Sequence, residues 1–360
     1  MNHDLLNRHI AGYKKASQDN RELFQKHFKE RIDAVSFFNS WTADNIKGMA
    51  EEDMRRYLSH LTALMNLGNK SYMIDKVISD NGLDKLKENL ASFVWGAEDI
   101  EKKWDVLRGN LKRFSPAMAS EILCKTHPDK YYIWNRRSIN GLNQLGATEL
   151  PVYNYQITGR KYKQVLQTMR MISEALKSSG FEDSTYLAVH YFLCNEFPAE
   201  NLSDVAAKRE KTGIFQRERE ELYDFFHNDI RDAIENIGRF LGFETYIDKK
   251  VAEGSQVDTV WESHIGNIGR IVYAFEVQSK SSIDSLLMNL LQALNNPTVQ
   301  GVIAVSNKEQ LEKISKRAST IPNLREKIRF WDYEEILKIQ HSLEFVNDLI
   351  SKLKLVPEGF

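Results

Sequence analysis

Apolar residues recur at helical spacing through the first part of the chain. Leu5, Ile10 and Tyr13 show this spacing near the start, and Ile74–Leu90 repeats it. Apolar residues three and four positions apart form one face of a helix. The β-branched alternation that is typical of strands is scarce there. The pattern predicts an all-helical domain over residues 1–200.

The pattern changes after a polar, charged stretch at residues 201–216, which we interpret as a linker. The spacing of apolar residues over 217–241 predicts one amphipathic helix. Short β-rich runs and helical segments follow, an order typical of a mixed α/β sheet. The predicted strands are 243–247, 256–261, 270–278, 299–306 and 328–331, and the predicted helices are 283–294, 308–318 and one beginning near 333. We therefore predict a multidomain α plus α/β protein, with the mixed-sheet domain at 217–360.

Composition and targeting signals narrow the class of protein. The two cysteines, Cys124 and Cys194, are too few for a disulfide framework or a thiolate metal site. No stretch approaches the ~18 apolar residues of a membrane helix, and the polar N-terminus lacks the apolar centre of a signal peptide. We expect a soluble cytoplasmic protein with no membrane partner. No phosphate-binding glycine motif appears, which argues against a nucleotide motor.

Charge is uneven along the chain, although the net charge is only −1. Residues 102–170 contain thirteen basic and four acidic residues, whereas residues 251–300 contain two basic and five acidic ones. A cationic patch attracts a phosphate backbone through counterion release. A cluster of carboxylates can hold a hard divalent cation. The alternative for the basic window is ordinary solvated helix surface.

Two carboxylates stand inside apolar runs of the second half. Asp258 and Glu276 are eighteen positions apart, with a glycine-rich turn between them. Adjacent antiparallel strands would bring both carboxylates to one edge, and Glu276, Gln278 and Lys280 would share a face because side chains alternate along a strand. Such a group suits Mg²⁺. The alternative is a pair of surface charges, but an acid within an apolar run needs a partner if it is buried.

The order of helix, strand with Asp, strand with Glu-x-Gln, helix and strand resembles the PD-(D/E)xK, or restriction-endonuclease-like, nuclease superfamily over about residues 217–331. The resemblance implies that Asp258 and Glu276 hold Mg²⁺, for which Mn²⁺ can substitute. Gln278 stands where the superfamily usually has Lys, and Lys280 is in a position to supply the missing ammonium group. The superfamily often adds an acid from the preceding helix, for which the candidates are Glu221, Asp224 and Asp229.

The basic helical half has a second, weaker resemblance. Leu111–Leu123 resembles the hairpin of helix-hairpin-helix DNA glycosylases, and the resemblance extends over about residues 58–170. It implies a DNA-binding scaffold with contacts from Lys112, Arg113 and Ser115, of which the last two replace the glycines of the family. The position of the catalytic Asp of the family is Asn135, whose amide cannot act as that acid.

Aromatic and guanidinium groups alternate just after the hairpin. Trp134, Asn135, Arg136 and Arg137 are candidates for stacking on bases or pairing with phosphates. The alternative is that Tyr132, Ile133 and Trp134 pack in the core while the arginines form salt bridges.

These features together predict a Mg²⁺-dependent DNA endonuclease acting on double-stranded DNA. A restriction or defence role and a homodimer are implied by the nuclease resemblance alone. Two alternatives stay open: a non-catalytic DNA-binding or partner-recruiting protein with a degenerate nuclease fold, motivated by Gln278, and a base-excision enzyme, against which Asn135 argues.

Overall fold

A computed structural model describes residues 1–64, 70–147, 149–151, 157–197, 223–266, 269–278 and 282–351, with side chains described except at 223–226, 348–349 and 351. The described residues form two compact units, one before and one after the undescribed stretch 198–222. The linker predicted at 201–216 lies outside the described residues.

The first unit is helical. Its helices are α1 (His3–Asp19), α2 (Arg21–Asn39), α3 (Ala43–Lys47), α4 (Glu51–Ser59), α5 (Lys70–Asn81), α6 (Leu83–Trp95), α7 (Ile100–Asn110), α8 (Pro116–Thr126), α9 (Arg136–Gln144), α10 (Gly159–Ser178) and α11 (Tyr186–Glu196), with a short 3-10 turn at Thr62–Leu64. The predicted all-helical character of the N-terminal region is confirmed for the part of the chain that the structure describes.

Short polar residues start several of these helices. Asp99, Ser115, Asn135 and Thr158 each accept a hydrogen bond from a backbone N–H of the first turn of α7, α8, α9 and α10, respectively. Such caps satisfy groups that have no partner within the helix. The helices then bury large side chains in one common core, which includes Tyr57, Trp104, Phe114, Tyr132, Trp134 and Tyr162.

The second unit is a five-stranded mixed sheet with helices on both faces. Its elements are α12 (Tyr223–Phe240), β1 (Glu244–Ala252), β2 (Ser255–Ile265), β3 (Gly269–Val277), α13 (Ile283–Ala293), β4 (Val299–Ser306), α14 (Lys308–Ala318), α15 (Pro322–Arg325), β5 (Ile328–Asp332) and α16 (Tyr333–Ser351). The strand order is β1-β2-β3-β4-β5. The first three strands are antiparallel, and β3, β4 and β5 run parallel.

Alternation along the strands decides which helices cover which face. Val260 and Ala274 are paired across β2 and β3 and pack with α13 in the core. Trp261 faces the other way, and its Nε1 donates to the Ile234 carbonyl of α12 at 3.0 Å. A Cβ on Gly238 would lie 2.3 Å from this indole nitrogen, so only glycine allows α12 to approach the sheet here.

The predicted strands and helices of this unit agree with the structure in order, but β1 and β2 were predicted too short: the strand predicted at 256–261 continues to Ile265. Residues 217–222 of the first predicted helix lie outside the described residues. The sequence indicates a strand at 243–247, whereas β1 continues to Ala252. Asp248 adopts φ 50° within this edge strand, charged residues follow it, and the pairing register with β2 shifts between Lys250 and Ala252. Among the helices in the described ranges, none has the length and apolar character needed to cross a membrane.

Candidate active site at the fork of two strands

Asp258 and Glu276 lie side by side where β2 and β3 separate. The hydrogen-bonded register of the two strands ends at the pair Thr259–Phe275, and Asp258 and Glu276 occupy the next positions. The two residues fall on neighbouring strands at one sheet edge, as their spacing in the sequence predicts. Both are half-buried rather than solvent-exposed.

The two carboxylates close the fork by accepting backbone hydrogen bonds from each other's strand. Oδ2 of Asp258 accepts from the Val277 N–H at 2.8 Å, and Oε2 of Glu276 accepts from the Asp258 N–H at 3.3 Å. Carboxylates are strong acceptors, so these contacts hold both side chains in a defined orientation. The fork is therefore organised before any ligand arrives.

Two like charges this close oppose each other's ionisation. Burial and the negative charge of Asp258 together raise the pKa of Glu276 from 4.5 to about 8, although hydrogen bonds from the Asn289 side chain and the Asp258 backbone act in the opposite direction. A desolvated carboxyl beside a second carboxyl behaves in this way. The pair consequently retains a proton at neutral pH. A perturbed pair of this kind marks a candidate functional site.

Helix α12 contributes a histidine to the site. His227 Nε2 lies 3.2 Å from Asp258 Oδ2. Burial alone would lower the pKa of His227, but the hydrogen bond and charge of Asp258 outweigh burial and raise it. The resemblance to the nuclease superfamily implied that an acid of this helix joins the site. Of the three candidates, Glu221 and the side chain of Asp224 lie outside the described residues, and Asp229 is half-buried. The imidazole was missed because a lone histidine has no ligand spacing in the sequence.

Helix α13 contributes an asparagine. The Asn289 side-chain Nδ2 donates to Glu276 Oε1 at 3.0 Å and to the Gln256 carbonyl at 2.7 Å. Sequence reasoning also missed this residue, since an asparagine within an amphipathic helix carries no motif. Four elements therefore meet at the fork: α12, β2, β3 and α13.

Gln278 directly follows β3, two residues after Glu276. Its backbone N–H donates to the Val305 carbonyl of β4 at 2.8 Å, which holds it beside the parallel part of the sheet. Lys280, the second residue predicted to assist, lies outside the described residues.

The chemistry of these groups fits a small hard cation better than a metal that needs many protein ligands. In the described ranges, no group of three or more histidine, cysteine, aspartate and glutamate side chains is arranged to hold a metal ion. Mg²⁺ is usually bound by only one or two carboxylates, together with waters and substrate phosphates. Asp258 and Glu276 supply two carboxylates, and burial and the charge of Asp258 raise the pKa of Glu276. The residues present therefore fit Mg²⁺ or Mn²⁺.

The hairpin predicted in the helical unit has a distinctive turn. Helices α7 and α8 are joined by residues 111–115, in which Arg113 adopts φ 56°. Asn81 holds this turn from α5: its Oδ1 accepts from the Lys112 N–H at 2.8 Å, and its Nδ2 donates to the Lys112 carbonyl at 2.9 Å. Ser115 caps α8 by accepting from the Met118 N–H at 3.2 Å. An arginine thus occupies a left-handed position that usually favours glycine.

Burial corrects several of the predicted DNA contacts. Arg113 is 5% exposed and forms an ion pair with Asp80, so its guanidinium stabilises the turn instead of facing solvent. Trp134 is fully buried and cannot stack on a base, and Arg136 is only 7% exposed. Tyr132 and Ile133 are also buried, as the alternative interpretation had it. These side chains belong to the core because the segment after α8 runs through the interior.

The other four predicted contacts are half-buried or exposed. Asn135 is half-buried, and its Oδ1 accepts from the Ser138 N–H at 3.0 Å to cap α9. Lys112 and Ser115 are half-buried in the hairpin, and Arg137 is exposed. Of the predicted DNA-binding set, Arg137 is therefore the side chain most available to a phosphate.

The basic window is less cationic at the surface than its composition predicts. Five of its thirteen basic side chains are buried: Lys103, Arg108, Arg113, Lys125 and Arg136. Others on the surface pair with acids, as Lys102 does with Glu98 and Arg170 with Glu174. Lys130 and Arg137 are exposed. Counting charges along the sequence therefore overstates the surface available to nucleic acid.

A cysteine and a histidine also meet in the helical unit, but they are not an activated pair. Cys194 Sγ lies 3.5 Å from His190 Nε2. Burial raises the pKa of the Cys194 thiol to about 11 and lowers the pKa of His190 to about 4. Both groups are neutral at physiological pH, so the thiol is not prepared to act as a nucleophile.

Comparisons with models of known protein families, with curated proteins and with solved structures gave no significant match. The chemistry at the fork of β2 and β3 is therefore argued from its own residues.

Proposed function

We propose that this protein is a Mg²⁺-dependent DNA endonuclease whose active site is the fork of β2 and β3. The observation that carries the proposal is the pair of Asp258 and Glu276, each of which accepts a backbone N–H of the other's strand. Mn²⁺ is expected to substitute for Mg²⁺. Double-stranded DNA is the proposed substrate, and the resemblance to restriction-endonuclease-like enzymes supports a defence role and a homodimer.

Asp258 and Glu276 would hold the cation through oxygens that are already oriented. A bound Mg²⁺ supplies Lewis-acid stabilisation of the phosphate and lowers the pKa of a water. Binding requires Glu276 to give up the proton that its raised pKa retains, because only the ionised carboxylate is a good ligand. Gln278 would orient the attacking water or the scissile phosphate through its amide. The same role for Lys280 stays a sequence prediction.

The helical unit is proposed to hold the DNA. Its hairpin is fixed by the Asn81 bridge and the Arg113–Asp80 ion pair, so the turn between α7 and α8 is rigid without DNA. A rigid turn before a helix N-terminus presents backbone N–H groups to a phosphate at low entropic cost. Exposed cations of the same unit, of which Arg137 is one, would add phosphate contacts without reading sequence.

The test is cleavage of plasmids with and without modified bases, in the presence of Mg²⁺ or Mn²⁺. Asp258→Asn and Glu276→Gln should each reduce cleavage at least about 100-fold, since each removes a ligand charge from the transition state. Asp284→Asn is the matched control because Asp284 is exposed, lies in the same acidic region and pairs with Arg317. The proposal is overturned if cleavage is absent, or if it survives in Asp258→Asn.

One observation favours a second candidate, a non-catalytic protein that binds DNA or recruits a partner. The backbone N–H groups of Val277 and Asp258 already satisfy one oxygen of each carboxylate, so the pair is able to close the sheet edge without a metal. Calorimetric titration separates the two functions. A non-catalytic fold should release no heat of Mn²⁺ binding that depends on Glu276.

A further inference from the structure

The Asn289 side chain links Glu276 to helix α13. Its Nδ2 carries two hydrogens, and both have acceptors: Glu276 Oε1 at 3.0 Å and the Gln256 carbonyl at 2.7 Å. The Gln256 side chain in turn donates to the Asp248 carbonyl of β1 at 3.0 Å. A continuous chain of hydrogen bonds thus runs from the irregular point of the edge strand to the acid of β3.

We propose that Asn289 is a positioning residue, which sets the orientation of Glu276 for a divalent cation through the amide bridge to Gln256. This inference rests on the proposed function, because it assigns a role at the same site. Asn289 itself is not a ligand in the proposal: its amide nitrogen is the atom that faces Glu276, and the lone pair of an amide nitrogen is delocalised into the carbonyl and does not coordinate a cation.

The geometry distinguishes positioning from simple docking of α13. The Asn289 bond fixes Oε1, while the Asp258 N–H fixes Oε2, so both oxygens of Glu276 are oriented before a metal binds. A contact that only docks the helix would not need to reach this carboxylate. Another bond, from Ser255 Oγ to the Asn289 carbonyl at 2.9 Å, already docks α13 on the start of β2.

The experiment measures Mn²⁺ binding to the full-length protein without DNA, by calorimetry and by the electron paramagnetic resonance spectrum of the bound ion. Asn289→Leu keeps the size of the side chain but removes the donor. Loss of a residue that orients a ligand typically weakens metal binding by about 10- to 100-fold. We expect a weakening in this range with an unchanged far-ultraviolet circular dichroism spectrum. If the leucine variant fails to fold, Mn²⁺ binding is measured on Asn289→Ser, whose hydroxyl is too short to reach Glu276.

Two controls isolate the bond to Glu276. Ser255→Ala weakens the docking of α13 but leaves the Asn289 amide in place. Asn296→Ala removes another asparagine that binds a strand carbonyl, that of Val251 at 2.9 Å, remote from the carboxylates. Both should bind Mn²⁺ within about 3-fold of the wild type, whatever their thermal stability, because neither touches the fork.

The outcomes separate this inference from the proposed function. If the wild type binds Mn²⁺ through Asp258 but Asn289→Leu binds equally well, the positioning role is overturned and the nuclease proposal stands. If Ser255→Ala weakens binding as much as Asn289→Leu, helix docking explains the effect and the positioning role is again overturned. If the wild type binds no Mn²⁺ that depends on Asp258, the proposed function falls, and the role of Asn289 falls with it.

Discussion

The two units place buried charge in opposite ways. In the helical unit, buried cations bind loop oxygens or single acids: Lys103 donates to the Gly96 carbonyl, Arg108 to the Phe114 carbonyl, and Lys125 to the His60 carbonyl and Glu121. In the sheet unit, two carboxylates meet at the end of a strand pair, and one of them retains a proton at neutral pH. A buried charge that loses its partner destabilises a fold, whereas a pair of carboxylates with a perturbed pKa marks a candidate functional site.

The sheet unit also contains a compensated acid for comparison. Glu262 is buried on β2 four residues after Asp258, and it pairs with Lys249 and with Arg270. Two cations face the carboxylate of Glu262, whereas burial and a second carboxyl raise the pKa of Glu276 to about 8. The difference shows that burial on this sheet does not by itself make a carboxylate a candidate ligand. The charges of the neighbouring side chains decide whether a carboxylate is a candidate ligand.

The largest expected effect comes from breaking a compensated pair. Lys125→Met leaves Glu121, which is 1% exposed, without its cation. Removing one partner of a buried ion pair costs about 3 kcal/mol or more of unfolding free energy. Urea unfolding followed by tryptophan fluorescence measures the loss. The double variant Glu121→Gln/Lys125→Met should recover part of it, and no recovery would show that the ammonium group acts only through the His60 carbonyl.

Neutralising Glu262 and neutralising Glu276 should have effects of opposite sign on stability. Glu262→Gln removes the partner of Lys249 and Arg270 and should destabilise the protein by about 1–3 kcal/mol. Glu276→Gln removes the repulsion from Asp258 and should stabilise it at pH 9 by at least about 1 kcal/mol, the equivalent of one pKa unit. Chemical denaturation at pH 9 compares the variants. Equal losses in both would contradict the distinction between the two acids.

The same pair should make stability depend on pH. Glu276 titrates near 4.5 when unfolded and near 8 when folded, so the folded protein holds a proton that the unfolded chain has released between these values. This contribution to stability is complete below pH 4.5 and is lost as pH rises towards 8. Hydrogen exchange of β2 and β3 amides, corrected for intrinsic rates, should show faster opening from pH 6 to pH 8. In Glu276→Gln this dependence should flatten.

A smaller effect is expected at the left-handed turn of the hairpin. Arg113→Gly and Arg113→Ala both lose the ion pair with Asp80, but only alanine retains the strain of φ 56°. A left-handed conformation costs a residue with a Cβ about 1 kcal/mol. The glycine variant should therefore be the more stable of the two by that amount. Thermal unfolding of the two variants side by side gives the difference.

The smallest effect concerns DNA binding by surface cations. Arg137→Ala or Lys130→Ala should each lower the slope of log affinity against log salt by about 1 if the side chain contacts a phosphate. Trp134→Phe, which alters a buried position, should leave the slope unchanged. Fluorescence anisotropy with a labelled duplex measures all three. A reduced slope for Trp134→Phe would show that this residue contributes to DNA binding.

Much of the fold could be predicted because periodicity is local. The strand at Val299–Ser306 and the helix at Lys308–Ala318 agree with the structure, since apolar runs and helical spacing are read from neighbouring residues. The strand β1 was predicted too short because an edge strand tolerates charged residues, and the charged run Asp248, Lys249 and Lys250 hides the apolar pattern of a strand.

The candidate site could be predicted only in part. The spacing of Asp258 and Glu276 placed both on adjacent strands, but His227 and Asn289 reach them from helices thirty-one and thirteen positions away. No local pattern encodes such contacts. Trp134 and Arg136 were likewise mistaken for surface groups, because alternating aromatic and basic residues look alike in a core and on a binding face.

The sequence by itself determined a helical half, a mixed-sheet half and two acids placed to meet, because these follow from periodicity and from strand pairing at short range. The tertiary structure decided which charges are exposed, which are neutralised and which helices complete the fork. Those properties depend on desolvation and on contacts between distant segments, and both arise only when the chain has packed.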